Sequence, residues 1–341
     1  MPVHAAHLAD RLVAEKPGQS VHNLTLDGGL QARLEALAGQ RAKRLGSAIS
    51  VAILVADHRS GEIRASVGSA DYFDRSRLGF VDMTQAVRSP GSTLKPLIYG
   101  LAFQDGTAHP ESLIEDRPMA FNGYRPANFD REYLGTVTIR KALQLSLNVP
   151  AVQMLEEVGP ARLLAAMRRA GAEPVLAERS SANLAIGLGG IGMRLTDIVT
   201  LQAMIASGGR AVPLHYDSTE DHTLTARARA QVLDPRAAWQ VSSILAGVQD
   251  PHGMTPGDIA FKTGTSYGYR DAWAVGFDGR HAVGVWVGRA DGKPVSGLAG
   301  GLVGIDIAAP ILGEVFSRIG EHHRLPPAPP GTRIASTGAL P

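Results

Sequence analysis

The order of periodicities along the chain predicts an α+β fold. A β-rich hairpin comes early, a long helical block follows, and three β-rich runs close the sequence before a last helix. The economical arrangement puts the early and late strands into one antiparallel five-stranded sheet flanked by helices. The helical block then forms a second lobe, with a cleft between the two.

Each element has its own signal. Residues 1–23 read as a polar lead-in. "TLDGGLQARLEALAGQRAKRL" (25–45) carries Leu30, Leu34 and Leu37 at helical spacing. "SVAILVADHRSGEIRASVGSA" (50–70) is two β-rich runs around a polar turn holding Gly61, hence a hairpin. From 84 to about 210 the pattern is helical and broken by Gly and Pro. Short helices are expected over 138–146, 151–159 and 161–171, the last two ending at Gly159 and Gly171. Residues 214–228 are polar and aperiodic, a loop, and 235–248 is an amphipathic helix. "IAFKTGTS", "RDAWAVGFD" and "HAVGVWVGRADG" then form an antiparallel meander. "APILGEVFSRIG" is the closing helix, and a Pro-rich tail or linker follows. The domain is expected over 24–320, with 321–341 as the tail.

Bulk composition narrows the function classes. Hydrophobic content of 44% and charged content of 19% are those of a globular protein. The net charge of +2 and the absence of a basic stripe with interleaved aromatics speak against nucleic acid as a partner. The longest apolar run, "AISVAILVA" (48–56), is too short to span a bilayer, so no membrane contact by this chain is expected. The N-terminus has no apolar core of a signal peptide. With no cysteine, thiol catalysis and Cys-based zinc sites are excluded.

Only six of the 34 basic residues are lysine: Lys16, Lys43, Lys95, Lys141, Lys262 and Lys293. Arginine cannot be deprotonated in a protein, whereas burial can bring lysine toward neutrality. Lysine is therefore informative here. Lys95 lies three residues after Ser92 in "RSPGSTLKP", and no other lysine has a serine at that spacing. On a helix the two share a face and can touch. A capping serine beside a solvated lysine is the plainer reading. The chemical one is a serine nucleophile whose proton is taken by a partly neutral amine.

Two further clusters bear on the choice. In "LSLNVP", Pro150 suits a first helical turn and leaves Ser146 and Asn148 on the connection, where hydroxyl and amide can face a cleft. In "KTGTS", Thr263 and Thr265 fall on one face of a strand, and Gly264 lets a ligand backbone approach Lys262–Thr265.

Ser-x-x-Lys, Ser-x-Asn and Lys-Thr-Gly in this order, 54 and then 116 residues apart, resemble the motif set of the penicilloyl-serine acyltransferases. "SPGSTLKPLIYGLA", "YRPANFD", "ALQLSLNVPAVQ", "GLGGIGMRLTDIVTLQAMIASGG" and "KTGTSYGYRDAWAVGF" are similar to the transpeptidase domain of class A penicillin-binding proteins, over roughly residues 20–320. The resemblance implies a β-lactamase/transpeptidase-like fold and a peptidoglycan D,D-transpeptidase without cofactor or metal. Ser92 would be the acylated nucleophile and Lys95 its base. Ser146 would relay the proton, supported by Lys262. Asn148 would hold the donor amide, Thr263 and Thr265 would grip the terminal carboxylate, and Gly264 between them would belong to the same substrate-binding segment. The backbone N–H groups of Ser92 and Thr265 would form the oxyanion hole. Partners would be stem peptides and β-lactams, and the location periplasmic or on the outer face of the cytoplasmic membrane. The family's upstream anchor and glycosyltransferase half do not occur in this sequence.

Alternatives stay open on the same fold: a D,D-carboxypeptidase or β-lactamase, or a non-catalytic sensor or scaffold. Class A β-lactamases carry Glu-x-x-Leu-Asn; here Glu178 lacks the following Leu-Asn, so slow deacylation is expected. "GLGGIG" (187–192) matches a dinucleotide fingerprint, but no strand clearly precedes it and residue 212 is Val. His4 with His7, and His322 with His323, lie in terminal segments without metal-ligand spacing. No Gly-x-Ser-x-Gly elbow surrounds Ser92.

Overall fold

The computed structural model describes residues 4–177, 181–219, 230–249, 257–295 and 303–332. Residues 220–228 of the expected loop, and 333–341 of the tail, lie outside them.

A five-stranded, wholly antiparallel sheet organises the fold. It comprises β1 (Ser50–Asp57), β2 (Ile63–Val67), β5 (Ala260–Thr265), β6 (Asp271–Phe277) and β7 (His281–Gly288), in the order β2-β1-β7-β6-β5. Early and late segments join where β1 pairs with β7, Ile53 opposite Val285. "VAILVA" (51–56) is continuously apolar because both faces of β1 are covered. Ala52, Leu54 and Ala56 enter the core shared with the helical lobe; Val51, Ile53 and Val55 enter a second core on the opposite face.

That second core is roofed by α2 (Gly28–Leu45) and α9 (Ala309–Ile319). Asp27 caps α2 by accepting from the Leu30 N–H, and Leu30, Leu34 and Leu37 bury the apolar stripe. Each contributes roughly 1.5–3 kcal/mol of apolar burial. On the other face sit α3 (Lys95–Asp105), α4 (Ile139–Gln144), α5 (Asn148–Val158), α6 (Pro160–Arg169), α7 (Leu195–Ala206) and α8 (Pro235–Ala246). Helix α3 is buried from Lys95 to Phe103 and runs through the middle of this lobe.

Three features depart from expectation. The polar lead-in contains α1 (Ala6–Glu15), whose Leu8 and Leu12 pack toward Leu24, Leu26 and Tyr216. Two apolar residues four apart were too faint a stripe to stand out in a polar segment. The helical block holds a two-stranded sheet, β3 (Leu113–Asp116) with β4 (Gly135–Thr138), each strand only four residues long. The Pro-rich segment returns over the domain: Gly279 N–H donates to the His323 carbonyl at 2.7 Å, and Leu325 packs on the main core. Among the described residues, no helix is long and apolar enough to cross a membrane.

Candidate active site

Pro90 leads into a 3₁₀ turn, Gly91–Leu94, that passes directly into α3 at Lys95. In a 3₁₀ turn residues i and i+3 eclipse, so Ser92 and Lys95 lie on one side. Ser92 is half-buried and its hydroxyl has no hydrogen-bond partner among the described residues, while Lys95 is fully buried.

The turn is clamped from behind. Trp273 Nε1 donates to the Ser89 carbonyl at 2.9 Å, and Ser89 Oγ donates to the Gly189 carbonyl at 2.8 Å. Gly91 has φ of 54°, and a side chain there would sit 2.5 Å from the Thr265 carbonyl. A β-carbon at Gly264 would lie 2.7 Å from the Pro90 carbonyl. The space Gly264 leaves is thus occupied by the serine turn itself, not by an approaching ligand backbone. "GLGGIG" works in the same wall, through Gly189 against Ser89 and Gly91.

Lys95 Nζ does not hydrogen-bond Ser92. It reaches the connection between α4 and α5 and the first residue of α5: the carbonyls of Ser146 (2.6 Å) and Leu147 (3.1 Å), Asn148 Oδ1 (2.7 Å) and Ser146 Oγ (3.3 Å). Three of these can only accept, so the loop offers the amine N–H groups more acceptors than a single hydroxyl does. The fourth, the Ser146 hydroxyl, can also donate to an amine lone pair. Ser146 has φ of 58°, a left-handed conformation that costs a non-glycine residue of order 1 kcal/mol or more. Asn148 stands one step further on than expected: it is the first residue of α5, not part of the connection.

From the sheet side comes Lys262 on the edge strand β5, also buried, with Nζ donating to the Thr263 carbonyl at 2.7 Å. Thr263 and Thr265 alternate with it and are half-buried. Thr265 Oγ1 accepts from Gly304 N–H at 3.0 Å, which leaves its own proton free to donate. Burial brings Lys262 down to about 7. Lys95 is pushed well below the ordinary lysine range, by burial first and then by the charge of Lys262. Neither forms an ion pair with a carboxylate among the described residues. Two buried amines without counter-ion favour an amine free base and an incoming anion.

Several contributors escaped sequence reasoning. Asn128 and the fully buried Asp116 stand behind Asn148; "YRPANFD", which holds Asn128, carries a family resemblance but no chemical signal of its own. Asp271 braces the end of β5, accepting from Ser266 Oγ (2.7 Å) and Trp286 Nε1 (2.9 Å). Phe129 and Tyr269 meet edge-to-face at 5.4 Å, joining the loop of Asn128 to the turn after β5. Glu178 lies outside the described residues. Among these, no group of three or more His, Cys, Asp or Glu side chains is arranged to hold a metal.

A family model described as the penicillin binding protein transpeptidase domain matches residues 51–297, which takes in all three motifs. The chain belongs to that family. As a penicillin-binding protein transpeptidase domain it is 41% identical to penicillin-binding protein 1C of Escherichia coli (strain K12), over 91% of this chain and 40% of that protein. It is 30% identical to penicillin-binding protein 1B of Vibrio cholerae, over 77% of this chain and 36% of that protein. The chain thus spans about two-fifths of the length of these relatives. In fold, it superposes on the Mycobacterium tuberculosis PonA1 protein in complex with penicillin V, with TM-score 0.82 and 21% identity over 97% of both chains. Penicillin-binding protein 1A from Haemophilus influenzae gives TM-score 0.68 and 20% identity, over 83% of this chain and 49% of that one.

Proposed function

We propose that residues 24–320 form a peptidoglycan D,D-transpeptidase domain that works through a serine acyl-enzyme and is acylated at the same serine by β-lactams. The observation that carries this reading is Lys95: a fully buried amine without a carboxylate partner among the described residues, on the serine's side of the turn and bound to Ser146 and Asn148.

In this reading Ser92 Oγ attacks the carbonyl of the penultimate D-alanine of a stem peptide and gives its proton to neutral Lys95. The C–N bond to the terminal D-alanine breaks. The proton passes through Ser146 Oγ to the departing amine, and Lys262 holds that relay electrostatically. An acceptor amine then attacks the ester, returns a proton by the same route and frees Ser92. Asn148 orients the donor amide, Thr263 and Thr265 receive the terminal carboxylate, and the backbone N–H groups of Ser92 and Thr265 stabilise the oxyanion. One such donor is worth ~10²–10³ in rate. Peptidoglycan as substrate places the domain outside the cytoplasmic membrane. The penicillin V complex of the PonA1 protein, on the same fold, supports β-lactams as ligands.

The test is intact mass after incubation with a labelled penicillin over hours. A stable adduct, lost in Ser92→Ala, is expected. No adduct, or rapid turnover of the penicillin, contradicts the reading. Joining of a stem-peptide donor to an acceptor amine separates transpeptidation from carboxypeptidase action.

A further inference from the structure

Helix α5 begins without a cap of its own. Leu147 occupies the capping position and has no polar side chain, so the N–H groups of the first turn need partners from elsewhere. Asn128, from the segment between β3 and β4, provides them. Its Oδ1 accepts from the N–H of Asn148 at 2.8 Å and of Val149 at 3.4 Å. Its Nδ2 donates to Asp116 Oδ1 at 2.7 Å and to the Glu132 carbonyl at 2.9 Å. Asp116 is fully buried and also accepts from Leu134 N–H, through Oδ2, at 2.9 Å. The neighbouring Ala127 carbonyl accepts from Asn148 Nδ2 at 2.7 Å, which turns Asn148 Oδ1 toward Lys95.

An unbroken line of contacts therefore runs from a buried carboxylate, through an amide and a helix N-terminus, to the lysine. We propose that Asn128, held by Asp116, is a positioning residue that sets Asn148 and, through it, Lys95. The proposal rests on the reading of Lys95 as the base for Ser92.

Burying a carboxylate is costly unless it is paired, and Asp116 forms no ion pair with a cation among the described residues. Its charge instead fixes an amide. With Nδ2 tied to Asp116 and to Glu132, Asn128 can present only its oxygen to α5. The carboxylate also lies behind the positive end of the helix dipole, where negative charge is favoured. Tyr99 of α3 faces Asp116, with its hydroxyl buried and without a hydrogen-bond partner among the described residues. Lys262 of β5 faces Lys95, whose other neighbours, Ser92, Ser146 and Asn148, are uncharged.

The experiment measures the rate of acylation by a fluorescent penicillin against pH, for the native chain, Asn128→Asp, and the swap Asp116→Asn with Asn128→Asp. The single variant sets two carboxylates against each other and is expected to slow acylation about tenfold or more, the scale of a lost cap plus a broken buried contact. In the swap the amide at 116 donates to the carboxylate at 128, which still accepts from Asn148 and Val149 but no longer donates to the Glu132 carbonyl. Acylation should recover severalfold over the single variant without reaching native, because the cap is restored while the Glu132 contact is lost. Its acid limb should move to higher pH, since negative charge now stands one link nearer the Lys95 ammonium. A swap that does not recover, or that recovers with an unmoved limb, overturns the proposal; so does a single variant that behaves as native. If the single variant does not fold, the swap against native decides. If the native chain forms no adduct, the reading of the site has failed instead. Amide exchange at Asn148 and Val149 in Asn128→Ala then tests the cap: faster exchange supports it and unchanged exchange overturns it.

Discussion

The two ends of the sheet bury ionisable groups in opposite ways. At the far end, around the β6–β7 turn, every buried charge is answered. Asp57 accepts from Arg280 Nε (2.7 Å) and from the N–H groups of Arg59 (2.8 Å) and Ser60 (3.3 Å). Burial alone would raise its carboxyl, but the Arg280 hydrogen bond and the others hold it low. Asp278 accepts from the N–H groups of Arg280 (2.7 Å) and His281 (2.6 Å). Buried His58 is brought down to about 4 and lies against Ser207 Oγ and the Asp278 carbonyl. At the cleft end, Lys95 and Lys262 are buried without an anion among the described residues, and Ser146 is held in a strained conformation. One end holds the chain together. The other stores unfavourable free energy that a bound anion and a proton transfer can release.

The sharpest way to break this contrast is Lys95→Arg. It keeps the charge but removes the proton acceptor, and penicillin acylation should fall by about 10³-fold or more. Near-native acylation would return Lys95 to a structural role. Next comes Lys262→Met, expected to slow acylation by about 10²-fold through the lost electrostatic support. Its stability should move the other way. A lysine titrating near 7 when folded, and near its ordinary value when unfolded, is charged in both states below pH 7, so its burial penalty is then fully present. The penalty is relieved as pH rises from about 7 toward 10, where only the unfolded chain binds the proton. Lys262→Met should therefore melt higher than native at pH 6, with the gap closing toward pH 10.

At the far end the signs differ. Asp57→Ala should cost about 1–3 kcal/mol of stability, read by denaturant unfolding, with acylation per folded molecule unchanged. His58 is neutral when folded and takes up a proton more readily when unfolded. Its contribution is lost as pH falls from about 6.5 to 4, and native melting should drop through that window more steeply than that of His58→Gln. The smallest effect is Ser207→Ala, about 1–2 kcal/mol, which removes two neutral hydrogen bonds to His58, at its carbonyl and at Nδ1.

What was legible in the sequence follows the same division. The sheet and the long helices carry their periods in their own residues, so the antiparallel five-stranded sheet with a helical lobe was read correctly. Ser92, Lys95, Ser146, Asn148 and Lys262 stand in short motifs whose residue types name a chemistry, and the fold brings them together where the helical lobe meets β5. Asn128 and Asp116 act across twelve residues of chain, without periodicity or an unusual residue type to mark them. The direction of Lys95 toward the α4–α5 connection depends on carbonyl positions that no side-chain pattern encodes. Strands of four residues and a helix with a two-leucine stripe fall below what a periodic pattern can resolve.

The contrast between the ends comes down to the protonation of two amines. Six lysines make a ¹⁵N-lysine-labelled sample simple to assign, with Lys95→Arg and Lys262→Met identifying two of the signals. Lys262 should titrate near 7, and Lys95 well below the ordinary lysine range. If both titrate where solvent-exposed lysines do, the cleft holds no free-base amine at neutral pH, and the assignment of Lys95 as the base for Ser92 is wrong.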